Sequence, residues 1–279
     1  MLTITSETLT LWLSQGFYPF IRLLALLGTA PFFNEKQAIT KVRVALAFFV
    51  VLIVSPQLPV VNIPLFSAMG LWVIVQQMVI GVAMGLTMQM AFAAVRHAGE
   101  VIGLQMGLSF ATFFDPTGGP NMPILGRIFN VITLLLFLAF DGHLWLIYIV
   151  VNSFELLPIQ TAPLNRDGFW VFAQFANTIF INGLMLALPF ITLFLILNLA
   201  LGILNRMTPQ LSVFVVGFPL TLTIGISMLG VIISILPRYT ERLIHQAFEQ
   251  LSLMFNLFVW VSILNQLISK TIWSFWFLK

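Results

Sequence analysis

Apolar residues run through this chain in blocks too long for the elements of an ordinary soluble core. Residues 9–33 carry a single charge, Arg22, and the block from Val44 to Val95 carries none. A bilayer crossing takes about 20 residues, so the second block predicts two helices. Their turn falls at Pro56, Pro59 and Pro64 in SPQLPVVNIP, where helical backbone is disfavoured. A helix over about 97–112 is expected next, and then the broken stretch GLSFATFFDPTGGPNMP, residues 107–123, before an apolar run over 124–151. Beyond the polar linker PLNRDG (163–168), two arms over about 169–204 and 211–236 meet at NRMTPQ (205–210), which reads as a hairpin tip. RYTERLIHQAFE (238–249) is the one conventionally amphipathic stretch, and 250–268 is apolar again.

Composition fixes the solvent of these blocks. The 279 residues are 60% hydrophobic and 8% charged, against roughly 25% charged in soluble domains, so the chain is expected to be an integral membrane protein. The net charge of +3 comes from few, dispersed basic groups, which argues against a nucleic-acid footprint. With no cysteine there is no disulfide framework, thiol nucleophile or Cys-ligated metal. Glu7 and the lack of a basic start to the first apolar run predict that no signal peptide is removed. Topology is less settled. Lys36, Lys41 and Arg43 place the first loop in the cytoplasm by the positive-inside rule, yet a plain six-helix count then puts Arg238, Arg242, Lys270 and Lys279 on the opposite side.

Small residues mark close helix approach. Gly99, Gly103 and Gly107, and likewise Gly81 and Gly85, recur every fourth position and line one helix face, suited to contact within the chain or with another subunit. Charged groups in apolar surroundings need partners or water; they are Arg22, Glu100, Asp115, Arg127, Asp141 and Arg206. Asp115 and Arg127 flank the broken stretch and are candidates for an intramembrane ion pair. Asp141 and His143 are either a proton relay or, because i and i+2 do not share a helical face and Gly142 favours a turn, a helix end. No HExxH, Walker-type lysine loop, GxGxxG or GxSxG elbow is present, so no catalytic residue, metal site or cofactor is expected. At membrane depth irregular backbone must face protein or water. The stretch 107–123 is therefore either a static turn or a constriction built from Phe110, Phe113 and Phe114.

Two blocks carry a resemblance. GEVIGLQMGLSFATFFDPTGGPNMPILGRIFNVITLLLFLAFDGHLWLI (99–147) and LNLALGILNRMTPQLSVFVVGFPLTLTIGI (197–226) closely resemble the FliR/SctT family of type III secretion export-apparatus proteins, over about residues 5–246, with DPTGGP leaning to the flagellar branch. The resemblance implies an all-α integral membrane protein of long, kinked helices and helical hairpins, part of a larger helical export gate. Its implied partners are FliP, FliQ and FlhB subunits, unfolded flagellar substrates and membrane lipid, without nucleic acid. It implies an inner-membrane location at the flagellar basal body, with the gate raised towards the periplasmic side. It divides the chain into a FliP-like region (1–170), a FliQ-like hairpin and amphipathic tail (171–249) and a C-terminal apolar extension (250–279). It makes Phe110, Phe113, Phe114, Asp115, Pro116, Gly118 and Gly119 the channel plug, and Asn205, Arg206, Pro209 and Gln210 the hairpin tip. The equivalent subunit of a virulence secretion system remains open, as does an ion-coupled transporter using Arg22, Asp141 and Arg206. No repeat relates residues 1–140 to 141–279, as such a transporter would often show.

Overall fold

The structure is a computed structural model that describes residues 6–33, 39–59, 61, 63–108, 123–208 and 213–276; of residues 6–12, 213–216 and 259–276 it describes the backbone only. Among the described residues there is no strand. The helices are α1 (Ser6–Thr29), α2 (Thr40–Val54), α3 (Ala68–Gln105), α4 (Ile124–Ala139), α5 (Gly142–Leu156), α6 (Arg166–Phe175), α7 (Asn177–Met207) and α8 (Val213–Trp276), with a 3₁₀ turn at Ser55–Gln57. Among the described residues four stretches are long and apolar enough to cross a membrane: Thr40–Gln57, Ala68–Gln105, Arg166–Met207 and Gly217–Phe258, and a fifth if α4 and α5 form one broken span.

Two helices are longer than the hydropathy pattern implies. The expected break near residue 96 is absent, because Arg96, His97 and Glu100 cluster on one face of α3 and interact there, with Arg96 Nε and His97 Nδ1 lying 3.8 and 3.9 Å from the Glu100 carboxylate. The arm at 211–236, the amphipathic stretch and the apolar run after it form a single helix through Pro219 and Pro237. Proline is tolerated in apolar helices when local polar groups find partners. Serine and threonine side chains in α8 bond back to their own turn, as Thr223 does to the Pro219 carbonyl at 2.8 Å and Ser234 to that of Val231 at 2.6 Å.

By packing, the chain separates into two compact units that interleave in sequence: residues 1–89, 141–175 and 246–279, and residues 90–140 and 176–245. In the first, α1 and α2 form a hairpin. Pro19 cannot donate to the Gln15 carbonyl, and Ser55 Oγ takes that place at 3.4 Å while Gln15 Nε2 donates to the Ser55 carbonyl at 3.1 Å. Ser14 and Tyr18 pin the segment after α2 by donating to the Val61 and Ile63 carbonyls, and Tyr18, Val61 and Val73 form a small core. Asn165, Gly168 and Phe169 dock the start of α6 on Leu257 and Phe258 of α8. In the second unit, Phe92 of α3 meets Phe137 of α4 edge-on at 5.4 Å. There too, His97 lies against Gly183 of α7, and Tyr239 of α8 donates to the Asn182 carbonyl at 2.7 Å.

Burial separates the helices by role. The apolar window of α3 is 61% buried, whereas those of α2 and α8 are 17% buried and that of α6–α7 is 28%. Leu195, Ile196 and Leu199 on α7 are each about two-thirds exposed. Such faces suit lipid or other protein chains rather than water.

Candidate functional site

Two arrangements concentrate unusual chemistry, one in each unit. The first is the pair of helix ends that carry the 107–123 stretch. α3 stops at Gln105. Leu108 N donates to the Gly103 carbonyl and Gly107 N to that of Leu104, both at 3.0 Å, with Gly107 at φ 77°. A six-to-one bond enclosing a shorter one, around a left-handed glycine, is the Schellman termination. Gly107 thus lies beyond the helical ridge that its four-residue spacing implied and serves as its cap, and the helix expected to reach residue 112 ends earlier. On the far side, Pro123 caps α4, and the Arg127 amide donates to its carbonyl at 3.1 Å.

The helices bearing these two ends touch through backbone. A Cβ on Gly99 would come 2.8 Å from the Leu125 carbonyl oxygen and 2.9 Å from Gly126 Cα, and one on Gly126 would come 2.8 Å from Glu100 Cγ. Gly103 has only ordinary contacts with Leu125. Both ends of the stretch are therefore held on a helix pair whose approach depends on Gly99 and Gly126. Phe110, Phe113, Phe114, Asp115, Pro116, Gly118 and Gly119 lie outside the described residues, as does any Asp115–Arg127 pair; Arg127 itself is exposed. At the hairpin, α7 ends at Met207, and Thr208 closes the turn by donating through both its amide and its hydroxyl to the Leu204 carbonyl at 2.9 Å. Asn205 and Arg206 are exposed in that last turn, while Pro209 and Gln210 are outside the described residues.

Gly107→Val is expected to destabilise the α3 terminus by about 1–2 kcal/mol, because a β-branched residue is strained at positive φ. Gly107→Asn should be milder. Amide hydrogen exchange at Leu104–Leu108 reads the difference, and equal protection in the two variants would contradict the cap.

The second arrangement surrounds Arg22, which is wholly buried in the first unit. Its Nε donates to Gln77 Oε1 at 2.7 Å, Nη1 to the Ser153 carbonyl at 3.0 Å and to Ser153 Oγ at 2.9 Å, and Nη2 to the Leu157 carbonyl at 2.9 Å. The guanidinium carbon sits 4.1 Å from the Phe154 ring centroid. Four of the group's five N–H donors are thereby engaged. No carboxylate among the described residues lies within 4 Å of it. Its counter-charge is the carboxyl end of α5, which carries roughly half a negative charge in unpaired carbonyls. The Leu157 amide still bonds the Ser153 carbonyl at 2.8 Å, and Pro158 directly after it brings no amide to continue the helix.

Close approach makes the site possible. A Cβ on Gly81 would fall on the Arg22 carbonyl and lie 2.8 Å from Ala25 Cβ, and one on Gly85 would meet Thr29 Oγ1. Gln77 lies one turn before Gly81 on the same face of α3. Sequence reasoning singled out Arg22 and Gly81 separately and missed Gln77 and Ser153. The available signal was a polar residue one turn from a glycine ridge, and a serine in the turn before Pro158.

Asp141 and His143 do not form a relay. Asp141 is exposed at the start of α5 with φ 55°, and buried Nδ1 of His143 has no hydrogen-bond partner. Among the described residues no three His, Cys, Asp or Glu side chains gather in a metal-binding group.

The family profile described as bacterial export proteins, family 1, matches residues 13–247. The chain belongs to that family. Flagellar biosynthetic protein FliR of Pectobacterium carotovorum is 54% identical over 252 residues, covering 90% of this chain and 97% of the relative. The FliR of Escherichia coli K12 is 52% identical with the same coverage, and that of Bacillus subtilis 30% identical over 78% of this chain and 85% of the relative. The bacterial export protein match takes in Arg22, both loop anchors and the α7–α8 hairpin, and ends within α8.

Proposed function

We propose that this chain is a non-enzymatic component of the flagellar protein-export apparatus in the bacterial inner membrane. The observation that carries the reading is its identity above 50% with FliR proteins along nearly their whole length. Within the apparatus it joins FliP and FliQ subunits, with FlhB attached, to form the channel through which unfolded flagellar proteins leave the cytoplasm. The outward apolar faces of α7 and α8 supply surface for such neighbours, which hold the gate towards the periplasmic side. The FliP-like region runs to about residue 170 and the FliQ-like hairpin follows it.

The 107–123 stretch closes the channel at rest. A plug needs a mobile or aromatic segment on immobile supports, and the Gly99–Gly126 backbone contact supplies the supports. A transporter reading would require Arg22 to meet an aqueous path, but the guanidinium is buried and committed to protein acceptors. Replacing both Phe113 and Phe114 by alanine should raise ion leakage through resting membranes that contain the assembled complex. Unchanged leakage with normal assembly would remove the plug, while failure to co-purify with other membrane subunits would remove the export reading itself.

A further inference from the structure

Between α1 and α2 lies an open groove of about 450 Å³, lined on one side by Gly16, Phe17 and Phe20 and on the other by Phe48, Leu52 and Ser55. Phe17, Phe48 and Leu52 are 40–54% exposed. A Cβ on Gly16 would meet nothing within 4 Å, so this glycine is not needed for helix contact and instead gives the groove its depth. The Ser55 hydroxyl and carbonyl are both engaged by Gln15, which leaves the groove with little to offer a polar guest.

Its α2 wall continues towards a positive charge. Lys41, Phe48, Leu52 and Ser55 follow one another at intervals of seven, four and three residues, which is a single face of a helix. Lys41 is exposed in the first turn. At 1.5 Å per residue it stands about 10 Å from Phe48 and about 21 Å from Ser55. That stripe matches the layout of a lipid in one leaflet: an anionic head at the basic end and hydrocarbon running inward from it over roughly half of a 30 Å core.

From this geometry we infer that the α1–α2 groove holds an acyl chain of an anionic phospholipid whose phosphate lies at Lys41. A flexible hydrocarbon chain fills a long, narrow, apolar trough and leaves no backbone group unsatisfied.

The test uses the full chain, purified in mild detergent with whatever subunits accompany it. It is incubated with phosphatidylglycerol carrying a photoactivatable acyl chain, and in parallel with phosphatidylcholine carrying the same chain. Crosslinks should concentrate on the peptides bearing Phe17 and Phe48, about fivefold above those bearing Leu195 and Leu199, and should favour phosphatidylglycerol. Lys41→Gln should abolish the headgroup preference. Gly16→Leu, which fills open space, should reduce groove crosslinks at least fivefold and leave those on α7 unchanged. Equal labelling of groove and α7, or indifference to both substitutions, overturns the site. Shielding of the groove from lipid by a crosslinked protein chain overturns it too, in favour of a protein neighbour. Lys41→Gln lies on an exposed turn, so the headgroup comparison stands even if Gly16→Leu fails to fold.

Discussion

Arg22→Ala is expected to lower the stability of the protein in detergent by about 3–5 kcal/mol, the range for removing one partner from a buried charged network. The loss has three sources. The Leu157 carbonyl and the Ser153 hydroxyl lose the guanidinium donor at the end of α5, while the Ser153 carbonyl keeps the Leu157 amide at 2.8 Å. Gln77 Oε1 is left in an apolar interior, and a cavity opens beside Phe154. Arg22→Lys keeps the charge but cannot span Gln77, Ser153 and Leu157 with a single ammonium, so an intermediate loss of about 1–3 kcal/mol is expected. Thermal or denaturant unfolding in one fixed detergent measures both. The hub is refuted as a stabilising element if Arg22→Ala unfolds within about 1 kcal/mol of the parent, below even a typical single hydrogen bond to a charged group.

Gly81→Leu should be comparably severe, for a steric reason. The obstacle to its Cβ is the Arg22 carbonyl and carbon, which are backbone of α1, so no rotamer change relieves it. Overpacking a tight core costs about 1–3 kcal/mol when side chains can adjust, and here the helices themselves must part. Their separation also withdraws Gln77 from Arg22 and Val73 from Tyr18. Reduced yield of folded protein and a lowered unfolding midpoint are the expected results. Gly16→Leu is the matched control, because it adds the same side chain to α1 in open space. If the two variants are equally stable, the backbone contact at Gly81 does not hold the hairpin to α3.

What was legible in the sequence follows from the range of each interaction. Apolar length marked the helical stretches, and the proline cluster at 56–64 marked the turn between α2 and α3, because those signals are local. The Asp141–Gly142 break was legible for the same reason, since only a few residues accept a positive φ. Hydropathy divided α3 at Arg96, where the uncharged run ends, although helical spacing lets Arg96, His97 and Glu100 satisfy one another on one face. It also divided α8 at Pro237, because a proline's effect depends on what receives the freed carbonyl. Gly107 illustrates the limit of spacing arguments: four residues from Gly103 it continues a ridge on paper, while its left-handed conformation ends the helix. The partners of Arg22 lay beyond reach altogether, being 55 and 131 residues away.

That last separation sets an order of events during synthesis. At about 5–20 residues per second, the Ser153 acceptor is made roughly 7–26 s after Arg22, the partners being 131 residues apart. α1 thus emerges with a cation in an apolar helix, and that cation lacks its Ser153 and Leu157 acceptors until α5 has been completed. The arginine makes the docking of the first helix conditional on the fifth, so a chain interrupted before residue 157 lacks the acceptors that let its N-terminal helix settle.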